Sequence, residues 1–431
     1  MPPVRRRLVF YCHGYDPEAA TRYRRLFVAA MAQVARRFGI ARHVSPAEDD
    51  AAVPAVHWTV TAGTSDWRTE TEYEVLLWDD LVRRDFARGW LRRLPLLVAA
   101  MAEALRGAVV QRLFRVSWRF ALFVVYPWAA LAAMLGAAAL AGYAAAAIVG
   151  LVAASAVLLW AIAIVVAAAV LRALGPPARR AFVHHLLDGW IFSWQQAGGR
   201  HAEFSDRLER FARHVVDRVR QSSAEEVLIV GHSTGSTIAV ALAARSLALD
   251  SDFGRRGPPV ALLTIGSCLA IAGFVRTAEP LRRDIARLAT TRRLSWVEYQ
   301  APQDALNAFG FVPARDLRLE LGGTAARNPQ IRSARFKETT APAAYRRLRW
   351  NFFRTHFHFL MANDIPGEYD YPMIACGPVA LADRIADPPA AVRAAYGAGA
   401  IASAAKQSRA NGDSYSEIAS PSARNDERLT T

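Results

Sequence analysis

Val227-Leu-Ile-Val-Gly-His-Ser-Thr-Gly-Ser-Thr-Ile-Ala-Val240 decides the fold. Its apolar start, Val227 to Val230, has the character of a strand buried on both faces in a parallel sheet. Gly231-His232-Ser233-Thr234-Gly235 follows, and then a small-residue helical run from Ser236 to Ala248. Strand, G-x-S-x-G and helix together describe a turn so sharp that the residues two before and two after the serine must be small. Ser233 then stands at the carboxyl end of its strand. There the N–H of Thr234 and the start of the next helix can face a developing negative charge. The plainer alternative is a serine that caps the helix.

Outward from this turn, strands alternate with helices, which implies a mostly parallel sheet with right-handed crossovers. Leu8 to Cys12 reads as a strand that runs into His13-Gly14-Tyr15, and Thr21 to Phe38 as the first crossover helix. Val56–Thr61 and Tyr73–Trp78 read as further strands, and Asp79-Asp80 as the cap or solvated start of the next helix. Glu203–Gln221 is an amphipathic helix feeding the Val227 strand. Val260–Ile265 and Leu294–Tyr299 are strands beyond it, with a helix at Leu281–Leu288 between them. Trp350–Phe353 reads as the last strand. From Asp383 onward, residues 383–431 are rich in Ala and Ser and read as a disordered tail.

Between the first and second sets of strands lies Phe120–Leu171, which holds no charged residue and no histidine. About 20 apolar residues make one membrane-spanning helix. The block therefore predicts two spans, near Phe120–Ala141 and Ile148–Leu171, with a turn near Gly142-Tyr143 and an end at Pro176-Pro177. Leu81–Arg119 is arginine-rich and amphipathic and reads as helices along a membrane surface. Ala178–Gln196 skirts the same interface. Arginines flank both ends of the block, at Arg106–Arg119 and at Arg172, Arg179 and Arg180. The positive-inside rule then places both ends, and the rest of the protein with them, in the cytoplasm, at the inner membrane if the source is bacterial.

The chain of 431 residues carries 53 Lys+Arg against 38 Asp+Glu, a net charge of +15, with Lys337 and Lys406 its only lysines. Arginine clustered around an apolar block points to a membrane face, and no nucleic-acid motif accompanies it. Cys12, Cys268 and Cys376 are far apart and show no metal or disulfide spacing. Cys12 and Cys268 read as small core residues. His184-His185 is a poor metal pair, because adjacent helical residues point apart. No metal or cofactor is expected.

The Gly231–Gly235 turn, the His13-Gly14 loop after the first strand and the strand–helix rhythm resemble the α/β-hydrolase superfamily. The resemblance implies an α/β-hydrolase-like fold interrupted by a two-helix transmembrane hairpin. Residues 1–105 would be the first part of the hydrolase domain, 106–196 the membrane insertion and 197–382 the second part. It further implies Ser233 as nucleophile, followed in chain order by an acid and a histidine. Asp304, just past the second strand after the Ser233 strand, is the chosen acid. Asp316 is the runner-up, and Asp250 or Asp252 would suit an acid one strand earlier. Glu298 lies within the strand and would point away. Only His356 and His358 follow Ser233. His356 is the chosen base and His358 the alternative, while His232 would pack beneath the serine. The N–H groups of Gly14, Tyr15 and Thr234 would form the oxyanion hole. The implied function is that of a membrane-bound serine esterase or lipase cleaving a lipid-like or small ester through an acyl-enzyme. Trp190, Ile191, Phe192 and Trp194 would line the access route from lipid. The alternatives are a catalytically degenerate fold serving as a membrane scaffold or binding module, and an acyltransferase.

Overall fold

The computed structural model describes residues 1–152 and 155–397. The first part of the chain contributes β1 (Arg6–Cys12), α1 (Ala19–Phe38), β2 (Ala41–Val44), β3 (Glu48–Asp49), β4 (Ala55–Gly63) and β5 (Arg68–Leu76). Helices then dominate: α2 (Asp79–Phe86), α3 (Trp90–Arg106), α4 (Val109–Val116), α5 (Trp118–Gly150), α6 (Ala156–Arg180), α7 (Val183–Ala197) and α8 (Ala202–Gln221). The second part alternates: β6 (Glu226–His232), α9 (Gly235–Leu249), β7 (Val260–Ile265), α10 (Leu269–Phe274), α11 (Glu279–Thr290) and β8 (Leu294–Gln300). It closes with α12 (Pro313–Asp316), β9 (Gln330–Ser333), α13 (Phe336–Thr339), α14 (Pro342–Leu348), α15 (Phe352–Phe357), α16 (Tyr371–Cys376) and α17 (Leu381–Ala386).

The protein is thus α/β, built on one mixed, mostly parallel sheet. The strand order is β2-β4-β5-β1-β6-β7-β8-β9, with β3 paired to β4. From β5 to β9 every pairing is parallel, and only β2, β3 and β4 join antiparallel. Alternate residues of each central strand enter opposite cores. Leu8, Phe10, Val227, Ile229 and Leu262 belong to one, and Val9, Tyr11, Leu228, Val230 and Leu263 to the other. Both faces are covered, so these strands read as continuous apolar runs. The helical insertion packs on the first face, where Phe120, Ala121 and Val124 of α5 join the core. Helices α1, α16 and α17 cover the second.

Chain progression reverses between β1 and β6. From β1 the chain crosses to the edge at β2 and fills back through β4 to β5 beside β1, and from β6 it runs outward through β7 and β8 to β9 on the other side. In open α/β sheets a crevice forms outside the carboxyl ends of the strands at such a switch point. The loops after β1 and β6 are His13–Tyr15 and Ser233–Thr234.

Helices α5 and α6 are both long and apolar enough to cross a membrane, and hardly any of their most apolar stretches is covered by the rest of the protein. Their boundaries differ from the expected ones. The connection falls between Gly150 and Ala156 rather than at Gly142-Tyr143. Gly142 lies inside α5, where an added Cβ would stand 2.5 Å from the carbonyl oxygen of Ala163. Its smallness serves the crossing of two helices, not a turn. Pro176-Pro177 does not end the second helix, which continues to Arg180.

Two further expectations are corrected. Trp350–Phe353 is not a strand, because Asn351 caps α15 by accepting from the Arg354 N–H at 3.0 Å. Of the expected disordered tail, residues 383–397 are instead helical, broken at Asp387. Ala391, Ala395 and Tyr396 are buried, Tyr396 donates to Asp370 at 2.7 Å, and Arg384 donates to Glu368 and Met373 carbonyls. Small and aromatic residues here fill a groove on the second face of the sheet. The rest of the expected tail, 398–431, lies outside the described residues.

Candidate active site

Ser233 has φ +58, a left-handed conformation rare for a side-chain-bearing residue. Such strain persists only where the surroundings enforce it. Here the Ser233 N–H donates to Ile265 O at 3.1 Å and the Cys268 N–H to Ser233 O at 3.3 Å, which ties the turn to the end of β7. The side chain of Ser236 also donates to Ser233 O. The flanking glycines are required by close approach. A Cβ on Gly235 would collide with the Cys12 carbonyl, and one on Gly231 would stand 2.6 Å from Ser236 Cα.

Asp304 follows β8, and its Oδ2 lies 2.7 Å from His356 Nδ1. Both residues are buried. The other carboxylate oxygen accepts the Leu306 N–H at 2.9 Å. Because a carboxylate accepts at Nδ1, that nitrogen carries the proton, and in the neutral ring the lone pair is then on Nε2. Nε2 is buried and has no protein partner among the described residues. His356 and Ser233 line the same cavity, of about 320 Å³. Ser233 Oγ does not hydrogen-bond to His356. Its recorded contact is Cys268 Sγ at 3.6 Å. Burial pushes the Cys268 thiol up to about 11, so it is a neutral thiol at physiological pH.

The loop after β1 sits against the serine, with Gly14 so close that an added Cβ would be 3.3 Å from Ser233 Cβ. His13 fixes the loop. Its Nε2 accepts the Trp78 N–H at 3.3 Å, so Nδ1 carries the proton and donates to Gly14 O at 2.6 Å. Burial lowers His13 to about 4, which keeps the ring neutral. With Gly14 C=O drawn to His13, the Tyr15 N–H of the same planar peptide points the opposite way. Among the described residues neither Tyr15 N–H nor Thr234 N–H meets a protein acceptor, whereas Gly14 N–H donates to the Tyr23 hydroxyl at 3.3 Å. Of the three expected oxyanion donors, Gly14 is therefore engaged elsewhere.

The remaining candidates have other surroundings. His358 Nε2 is 2.9 Å from Thr340 Oγ1, its ring packs edge-on to Phe336, and burial lowers it to about 4. It does not line the Ser233 cavity. His232 lies beneath the serine, its ring 4.7 Å from that of His356, with Nε2 donating to His356 O at 3.3 Å. Burial holds it well below the usual histidine range. Asp316 pairs with Arg315, Asp250 with Arg220 and Asp252 with Arg256. Glu298 bonds Thr264 and Gln300 inside the sheet, and burial raises it to about 7. Asp79 and Asp80 open α2 and pair with Arg83 and Arg207.

The cavity walls come from the insertion. Phe123, Val124 and Pro127 of α5 line it, as do His185, Leu186, Gly189, Trp190 and Ser193 of α7. The α7 positions recur at helical spacing and form one face. Ile191, Phe192 and Trp194, expected on the same route, point to other faces and are buried in the core. Sequence reading missed the α5 residues and Cys268. The latter's position just past the strand next to β6 was the available signal.

For cations, Asp50, Glu74 and His214 bring ligand atoms within 4.8 Å of one another. None of them lines the Ser233 cavity, and Arg218 Nε already lies 3.7 Å from Glu74 Oε2. Comparison with protein-family models, with curated proteins and with solved structures finds no match for this chain.

Proposed function

We propose that the protein is a membrane-bound serine hydrolase with an α/β-hydrolase-like fold that cleaves a carboxylic ester of a lipid-like substrate. The observation that carries this reading is the strained Ser233 sharing a cavity with His356, whose Nε2 has no partner among the described residues while Nδ1 is held by Asp304. In the reaction, Ser233 Oγ attacks the ester carbonyl as its proton passes to His356 Nε2. Asp304 stabilises the imidazolium. The N–H groups of Tyr15 and Thr234 receive the oxyanion charge. The imidazolium returns its proton to the departing alkoxide and leaves the acyl group on Ser233. Water, deprotonated by His356, then releases the carboxylic acid. The Ser233–His356 hydrogen bond forms when substrate displaces the serine from Cys268, since catalytic contacts often close only in the substrate complex.

The lipid-like substrate is supported by the cavity wall, which takes Phe123, Val124 and Pro127 from a helix able to cross a membrane. An acyl chain can leave the bilayer along that wall without passing through water. A catalytic body on the cytoplasmic side is supported by the arginines before and after the spans, through the positive-inside rule.

The test is labelling by a fluorophosphonate probe in isolated membranes. Wild type should label and Ser233→Ala should not. A second reading, a hydrolase-like fold without a competent nucleophile, is favoured by the Ser233–Cys268 contact. It would leave wild type as unreactive as the alanine variant. Product analysis with a competing alcohol separates hydrolysis from acyl transfer.

A further inference from the structure

Away from Ser233, a basin of about 1120 Å³ opens between α4, α11 and the segment around α12. Eight arginines line it against three acids, Glu279, Asp316 and Glu320. One acid is already committed, because Asp316 pairs with Arg315 and accepts the Val312 N–H. Arg282 is held by the carbonyls of Gly273 and Val275 at the basin's back. Arg112 and Arg115 of α4 line the basin together with Arg276, Arg283 and Arg318. All five are exposed, and none forms an ion pair among the described residues. Like charges gathered this closely repel one another and are relieved by an anionic ligand.

The position of the basin indicates where the anion comes from. Helix α4 ends at Val116, and α5 begins at Trp118 after the single residue Ser117. Arg115 is thus within about 10 Å of the start of the first span by chain reach alone. Phe114 and Trp118 are exposed beside it, as side chains of the bilayer interface are. A basic site at that level lies in the headgroup layer, where polybasic segments collect acidic lipids. Its volume exceeds what one phosphate fills, and arginine forks suit phosphate oxygens bidentately.

We infer that this arginine-lined basin binds the phosphate-bearing headgroup of an anionic phospholipid. It rests on α5 and α6 crossing a bilayer, not on chemistry at Ser233. Helix α10 lines both places, Ile271 the Ser233 cavity and Phe274 the basin. A bound headgroup would therefore hold the body against the membrane through the same short helix that walls the reaction cavity.

The experiment titrates full-length protein in neutral detergent with fluorescent short-chain phosphatidylglycerol and, separately, phosphatidylcholine. The anionic lipid should bind at least about tenfold more tightly, with a preference that falls as salt rises. Arg112→Gln combined with Arg283→Gln should lower that preference about tenfold, whereas Arg36→Gln with Arg210→Gln, the same charge change elsewhere, should leave it intact. Equal binding of both lipids, or equal loss in both double variants, overturns the inference. So does inorganic phosphate or a single-stranded RNA binding more tightly than the lipid. If the basin variant melts early, the wild-type salt dependence decides, and a preference unchanged by salt overturns the inference. Carbonate extraction of membranes reads attachment separately and probe labelling reads Ser233 separately, so failure here is distinguishable from failure of either.

Discussion

His356 Nδ1 and Asp304 Oδ2 lie 2.7 Å apart in a buried pair whose outer nitrogen, Nε2, has no protein partner among the described residues. The two residues are 52 positions apart in sequence. Asp304 comes from the loop after β8 and His356 from α15, so only the completed sheet brings them together. Replacing the carboxylate by an amide keeps the shape but presents the imidazole with a competing donor and permits the wrong tautomer. Asp304→Asn should slow fluorophosphonate labelling of Ser233 by about 10²- to 10⁴-fold with little change in melting temperature. His356→Ala should do the same. His358→Ala, which loses a bond to Thr340, should label within about threefold of wild type and lose about 1–3 kcal/mol of stability instead.

In the proposed reaction, Cys268 would compete with His356 for the serine hydroxyl. The Ser233 Oγ–Cys268 Sγ contact of 3.6 Å is long even for sulfur, so its loss costs little. Cys268→Ala should speed probe labelling by about two- to fivefold, because Ser233 is then freer to turn to Nε2. A slower variant would mean that the thiol positions the serine. Because burial keeps Cys268 a thiol up to about pH 11, maleimide should modify it slowly at neutral pH.

The turn at Ser233 offers a contrast between two glycines. Gly235→Ala drives a methyl into the Cys12 carbonyl of the neighbouring strand and should cost about 3 kcal/mol or more, read as loss of folded protein in detergent. Gly14→Ala meets Ser233 Cβ at 3.3 Å, a side-chain neighbour rather than backbone. Its cost should appear as slower labelling at nearly unchanged melting temperature.

The central parallel strands were legible because both faces are buried, and their apolar runs stand out between polar turns. The short outer strands β2, β3 and β9 were not. ARHV, ED and QIRS carry little buried apolar surface, and only edge pairing makes them strands. Asp304 and His356 could be chosen from the chain order of a resemblance and from the scarcity of late histidines. The helical setting of His356 was hidden by an aromatic run, Asn351–Phe359, with neither strand nor helix period. Packing of 383–397 was masked by an alanine-rich composition, because the burial of Ala391 and Tyr396 depends on a groove made elsewhere. The α5 residues at the cavity were unreadable for a related reason. In a uniformly apolar helix, nothing in sequence separates the exposed face from the face turned to Ser233.

His13 gives a pH dependence with a definite sign. Its pKa is about 4 in the folded protein, lowered by burial from an ordinary 6.5. Between those values the unfolded chain binds the extra proton, so the stability of the neutral ring is full above pH 6.5, is lost progressively as pH falls from 6.5 to 4, and falls no further below that. The stability difference between wild type and His13→Gln should therefore shrink by about 3 kcal/mol from pH 7 to pH 4. Thermal unfolding of both proteins across that range measures it. Taking the difference cancels the buried carboxylates Asp188, Asp370 and Glu298, whose raised values act in the opposite direction.

The hairpin itself can be tested at two glycines of α5. Gly142 faces the Ala163 carbonyl of α6 so closely that a Cβ would stand 2.5 Å away, whereas an added Cβ on Gly136 meets nothing within 4 Å. Helices in lipid gain little from apolar burial against each other and depend on close backbone approach. Gly142→Val should push α5 and α6 apart and lower the melting temperature in detergent. Gly136→Val should leave it nearly unchanged. The displacement has a functional consequence, because Phe123, Val124 and Pro127 on the same helix wall the Ser233 cavity. Probe labelling should fall with Gly142→Val even below its melting temperature. If labelling instead tracks only the folded fraction, the hairpin anchors the body without shaping the site.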